Sequence, residues 1–238
     1  DAAHYQAMIN YMTNHDMKLS ANYDVIKRTM DIDNFMDYEI AQIYFDNTDW
    51  PGNNIKFWRP RTADGLWKWI VFDTDFGFGL YNSNNYKNNS LAFATEPNGP
   101  DWPNPPWSTF LFRKLLENQG FRDLFVQKYM MHLNTTLKPE NVIHVIDSMC
   151  GMISADFPAH VARWGQPWSV EQWNANVEQL RVFTRQRPDY VWRTMRSFFS
   201  LAPEIYLSVA YPDTAGKIMV NDFQVPPGGM NGKYISGL

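Results

Sequence analysis

The stretch from Asp49 to Gly77 constrains the fold of this chain more than any other. Asp49-Trp50-Pro51-Gly52-Asn53-Asn54 sets a proline beside a glycine, which enforces a tight turn: proline fixes φ, and glycine enters conformations closed to other residues. Ile55 to Arg59 and Leu66 to Phe72 then read as strands, with Ala63-Asp64-Gly65 as the turn between them. The pattern predicts an antiparallel hairpin whose apolar face carries Phe57, Trp67, Trp69 and Val71. A hairpin brings its two ends together. Asn54 at its start and Asp73 at its close therefore project their oxygens from the same end of the ribbon.

The rest of the chain is mostly helical. His4 to Met12, Ala21 to Met30 and Asp31 to Phe45 have helical apolar spacing, the last with Ile32, Phe35, Met36, Glu39, Ile40, Ile43 and Tyr44 on one face. Beyond the hairpin, Thr109 to Glu117, Phe121 to Leu133, Pro139 to Ile153 and a piece toward Trp164 follow. Ser169-Val170-Glu171-Gln172 is a capping box that launches a long helix, which Pro188 should kink or break before Tyr190 to Phe199. Residues 81–107, rich in Asn and Pro, predict a long irregular loop. Trp102 and Trp107 within it either stack on sugar rings or pin the loop to the core, and pinning is the favoured reading. After Pro203, Ile205 to Ala210, Lys217 to Val220 and Lys233 to Leu238 read as short strands, the last breaking off.

Asp49, Asn54, Asp73 and Asp75 together point to a chemistry. An Asp, an Asn five residues on and an acidic pair about twenty further is the order in which phosphotransferases place a catalytic carboxylate, a metal-binding amide and a metal-binding carboxylate. Hard oxygen ligands suit Mg²⁺ held between phosphate oxygens. The competing reading makes these same residues turn formers with local hydrogen bonds.

Asp31 to Tyr38, Asp49 to Lys56 and Trp69 to Gly77 closely resemble the spore coat protein H (CotH) kinase family. Weaker matches run through Leu115 to Asn118, Phe121-Arg122 and Arg187-Pro188, so that the similarity covers roughly residues 1 to 200. The resemblance implies an atypical protein-kinase-like C-lobe that uses ATP and Mg²⁺, or Mn²⁺, to phosphorylate secreted or surface proteins at the bacterial cell exterior. Asp49 would be the catalytic residue, Asn54 and Asp73 would bind the nucleotide's metal, and Asp75, which opens an Asp-Phe-Gly triplet, would share the metal.

Nothing before Asp49 resembles the glycine-rich loop or the Lys–Glu pair of a kinase N-lobe. The reading is therefore residues 1–202 as a C-lobe separated from its N-lobe, poor at ATP binding and transfer by itself, and 203–238 as the start of a truncated β-rich module. The fold class is α+β, predominantly α.

Composition enters as a filter. The chain has 238 residues, 45% hydrophobic and 19% charged, enough for a sizeable core. A net charge of −4 with dispersed Lys and Arg argues against a nucleic-acid partner. No apolar run reaches the roughly 18 residues of a membrane span. Cys150, the one cysteine, reads as buried and structural, and Arg181, Arg185 and Arg187 read either as a solvated helix face or as an attractor of acidic substrate. With 10 Trp and 12 Tyr, the alternative function is a secreted aromatic-rich module that binds glycan or protein, or a pseudokinase, its acidic residues holding a structural cation.

Overall fold

The computed structural model describes residues 1–80, 82–212 and 216–237; Tyr81 in the expected loop and Leu238 in the expected last strand lie outside them. By internal contact the chain forms two units, residues 1–77 with 89–129, and residues 78–88 with 130–237. It is α+β, about half helix, with small two-stranded antiparallel sheets.

The first unit opens with α1 (Ala2–Asn14), α2 (Ser20–Lys27) and α3 (Ile32–Phe45). Asp31 caps α3 by accepting the Asn34 N–H at 3.0 Å, which satisfies one orphan donor of the first turn. The apolar face read from the spacing is the one buried: Phe35, Met36, Ile40, Ile43 and Tyr44 are each 2% exposed or less.

β1 (Lys56–Trp58) and β2 (Lys68–Ile70) form the expected hairpin, with Phe57 opposite Trp69. The Asn34 side chain fastens it to α3, accepting the Trp69 N–H at 2.7 Å and donating to the Trp69 carbonyl at 3.2 Å. Phe35 packs edge-on to Trp69 at 4.7 Å. Trp67 and Trp69 are buried, as predicted, but Phe57 and Val71 are exposed. The ladder stops at Ile70, so Val71 runs past the cover of α3, and Phe57 is stacked on Tyr5 with its remaining surface open.

The loop expectation needs correction. Residues 81–107 contain a 3-10 turn at Asn85–Lys87 and α4 (Ser90–Ala94), because Asn89 caps the latter by accepting the Ala92 N–H at 3.0 Å. Trp102 and Trp107 do not pin it; they are 59% and 63% exposed. A buried amide does so instead: Asn104 donates to the Phe93 carbonyl at 2.7 Å and is fully buried. α5 (Phe110–Leu115) and the start of α6 (Gln119–Asn134) complete this unit, with Phe112, Phe121, Phe125 and Tyr129 in successive ring contact.

The second unit contains α7 (Pro139–Ile153), α8 (Phe157–Trp164), α9 (Val170–Phe199), β3 (Glu204–Val209), β4 (Met219–Val220), β5 (Phe223–Gln224) and β6 (Met230–Ile235). The cap at Ser169 forms, its hydroxyl accepting the Gln172 N–H, and the Gln172 side chain returns one residue further back, accepting the Trp168 N–H. α9 does not break at Pro188. Phe183, Thr184, Arg187, Val191 and Trp192 are buried on both sides of it, and that packing outweighs the roughly 3 kcal/mol an interior proline costs.

Arg187 is no surface residue. It is 1% exposed and donates to the carbonyls of Tyr86 and Asn88 at 3.0 and 2.7 Å. Arg181 and Arg185 do lie on the solvated side, in ion pairs with Asp147 and Glu178. Cys150 is only half-buried, because none of α7 is fully buried and its stripe of Val145, Met149 and Met152 stays exposed. β6 begins earlier than expected, at Met230, and pairs with β3 over six residues. Among the described residues no helix is long and apolar enough to cross a membrane.

Candidate active site

α3 ends by design of its last residues. Asp46 turns into the left-handed region at φ 54°, a conformation that Asp and Asn tolerate better than most residues, and its carboxylate accepts the Ser90 hydroxyl. The chain then crosses to the end of the hairpin. Asn47 donates to Gln42 at 2.9 Å and reaches the Asp73 carbonyl at 3.5 Å. Thr48 donates through both its N–H and its hydroxyl to the Phe76 carbonyl, at 3.3 and 3.1 Å. Asp49 is thereby carried beside residues 73–76.

The turn after Asp49 is anchored equally firmly. The Trp50 indole donates to the Tyr38 hydroxyl at 2.9 Å, and the Gly52 N–H donates to the Pro103 carbonyl at 2.6 Å. A side chain at Gly52 would overlap the Pro105 ring. Glycine is required there by contact.

Asp49 itself is 3% exposed. Its Oδ2 accepts from Asn54 Nδ2 at 2.6 Å and from Asn53 Nδ2 at 3.3 Å, while its Oδ1 has no hydrogen-bond partner. Burial raises its carboxyl above the ordinary range, the Asn53 contact opposes that, and the charges of Asp75 and Asp73 add to it. Asn54 and Asp73 are both left-handed, at φ 53° and 51°, so each end of the hairpin turns inward. Asn54 Nδ2 also lies 3.4 Å from the Asp73 carbonyl. One amide thus ties the buried carboxylate to the end of the second strand.

Asp73 and Asp75 are exposed and face each other. A hydrogen bond between the two carboxyls raises Asp73 above its usual value, and nearby Lys56 pulls it back. The Lys56 ammonium lies 3.2 Å from the centroid of Phe72. Two exposed carboxyls in contact with each other lie next to a third, buried one whose Oδ1 is unpartnered, with the Lys56 ammonium nearby. The four residues singled out by sequence are therefore brought to one end of the hairpin.

Residues 1–191 match the family described as CotH kinase protein. The chain belongs to the CotH kinase family. No curated protein and no solved structure matches it.

The donor types of this candidate site are all oxygen, which suits Mg²⁺ or Mn²⁺ over softer ions. Among the described residues no three His, Cys, Asp or Glu side chains gather closely enough to hold a metal by themselves. The site offers a carboxyl pair plus the Asn54 amide. Such a set fits a cation whose remaining ligands come from phosphate and water.

Sequence reasoning missed Asn53 and Lys56. The signal for Asn53 was its position in an Asn-Asn pair four residues after the acid; for Lys56 it was a cation opening the strand beside an acidic loop. Glu39 was read only as part of an apolar face. It is 5% exposed, and burial holds its carboxyl well above the ordinary range.

Proposed function

We propose that this chain supplies the phosphoryl-transfer residues of an atypical protein kinase that uses ATP with Mg²⁺ or Mn²⁺ and acts on secreted or surface protein substrates outside the cytoplasm. The observation that carries this reading is the Asn54 amide, hydrogen-bonded to Asp49 and within 3.4 Å of the Asp73 carbonyl. Membership of the CotH kinase family supports it.

In this reading Asp49 is the base. Its carboxylate accepts the proton of the acceptor hydroxyl, while Asn53 and Asn54 hold Oδ2 and fix the carboxylate's orientation. Burial raises its pKa toward the range where a base is more effective. Asn54, Asp73 and Asp75 would hold the divalent ion, which when bound neutralises phosphate charge and keeps the transferring group in line. Lys56 adds positive charge beside the carboxyl pair. The residues before Asp49 form helices α1 to α3 and contain no glycine-rich loop, so the chain by itself is expected to bind ATP weakly. In the same proposal residues 203–238 belong to an additional β-rich module.

The test is radiolabel transfer from ATP with Mg²⁺ or Mn²⁺, with nucleotide calorimetry alongside, on the intact protein and two variants. Asp49→Asn should lose about 10²- to 10⁴-fold in turnover and keep metal-dependent nucleotide binding. Asp73→Asn should lose that binding. Unchanged turnover in both variants removes the site. Metal binding without transfer in the wild type would favour a pseudokinase holding a structural cation.

A further inference from the structure

The first unit contains a cavity of about 510 Å³ that shares none of Asp49, Asn54, Asp73 or Asp75. That volume lies in the range of small-molecule sites, about 300–1,000 Å³. Its walls are aromatic, with Tyr5, Phe35, Tyr38, Phe57, Trp69 and Trp107 among them.

One carboxyl lines this space, that of Glu39 on α3, and its Oε2 has no hydrogen-bond partner. Among the described lining residues there is no Lys, Arg or His. Several other polar groups in the wall are engaged within the protein. The Trp50 indole donates to Tyr38, Gln6 to Asn10, Thr13 to the Ile9 carbonyl and Ser108 to the Pro105 carbonyl. Glu39 is an acid with no ion pair among the described residues, and it shares the wall with rings whose π-faces are negative.

Both features call for the same ligand. An aromatic face attracts a cation electrostatically, most strongly where water is excluded, and a buried carboxylate is tolerated when a cation sits beside it. We propose that this cavity binds a small organic ammonium ion, with Glu39 as its counter-ion and the aromatic wall as its cage. This is independent of the phosphotransfer reading.

The proposal carries a proton balance. In the empty cavity burial keeps the Glu39 carboxyl protonated well above the ordinary range. When the cation enters, Glu39 gives its proton to solvent and the carboxylate remains paired with the ligand. Affinity therefore falls as pH drops below the raised value, by about tenfold per pH unit. The other titratable groups in the wall are Tyr5 and Tyr38, phenols that burial pushes upward, to about 12 for Tyr5. They stay neutral throughout that range.

The experiment titrates the whole chain with choline and with 3,3-dimethylbutan-1-ol, its uncharged isostere, following tryptophan emission and calorimetric heat between about pH 5 and 8. Choline should bind at least about tenfold more tightly than the alcohol, should gain affinity with pH, and should release a proton seen as a buffer-dependent heat. Glu39→Gln should lower choline affinity by about tenfold or more, abolish its pH dependence, and leave the alcohol unaffected. Equal affinity for the two probes, no saturable choline binding, or choline affinity unchanged in Glu39→Gln overturns the proposal. The comparison of the two probes on the wild-type chain needs no variant and decides the matter even if Glu39→Gln misfolds.

Discussion

Single residues in this protein matter where they are forced into unusual surroundings. Glu39 is the clearest case: burial raises its folded pKa above the unfolded value, so the folded state holds its proton more tightly than the unfolded chain. The stability this contributes is present at low pH and declines as pH rises from about 4.5, the usual value of a glutamic acid, toward the raised one. Glu39→Gln should accordingly melt above wild type at neutral pH and lose that advantage near pH 4.5, which calorimetric melts across pH would check. A wild-type advantage at neutral pH would show that the carboxylate has a partner. Gly52 is constrained by contact instead of charge. With the Pro105 ring and, at 2.6 Å, the Pro103 carbonyl against its missing side chain, Gly52→Ala should cost about 1–3 kcal/mol and, because it opens the turn after Asp49, reduce any activity of the site as well. Denaturant unfolding of the variant tests the first part.

At the scale of elements, α9 shows packing overruling a local breaker. Pro188 removes a backbone hydrogen bond in the middle of a 30-residue helix, yet the buried run from Phe183 to Trp192 keeps the turns in place. Pro188→Ala restores the N–H without adding bulk and should stabilise the protein by about 1–3 kcal/mol, read as a shifted urea midpoint at constant slope. No gain would mean that the helix has already adapted to the ring. The hairpin teaches the converse. Its existence was legible because Pro51-Gly52 and Ala63-Asp64-Gly65 are backbone signals, but only half of its apolar face was, Trp67 and Trp69, since exposure of Phe57 and Val71 depends on how far α3 and Tyr5 extend over a ribbon of three residue pairs.

Across the whole molecule, cover is uneven. α3 and α6 bury much of their length, with Phe121, Phe125 and Tyr129 at 1% exposure or less, whereas α7 and α8 have no fully buried residue. Hydrogen exchange should follow this: amides of α3 and the first half of α6 exchange slowest, and those of α7 and α8 fastest among the long helices. Uniform protection would show that the exposed stripe of α7 is covered in solution. The sequence by itself determined the helix-rich class, the hairpin, the cap at Ser169 and the gathering of Asp49, Asn54, Asp73 and Asp75, because each rests on short-range chemistry: proline and glycine backbone limits, side-chain caps and apolar periodicity. Only the tertiary structure decided that Arg187 is buried on two carbonyls, that Asn104 and not Trp102 or Trp107 pins the loop, that Cys150 is half open, and that Glu39 stands unpaired in an aromatic cavity. Those outcomes depend on which surfaces meet across tens of residues of chain, and burial, unlike a turn, is a property of the neighbours a residue acquires.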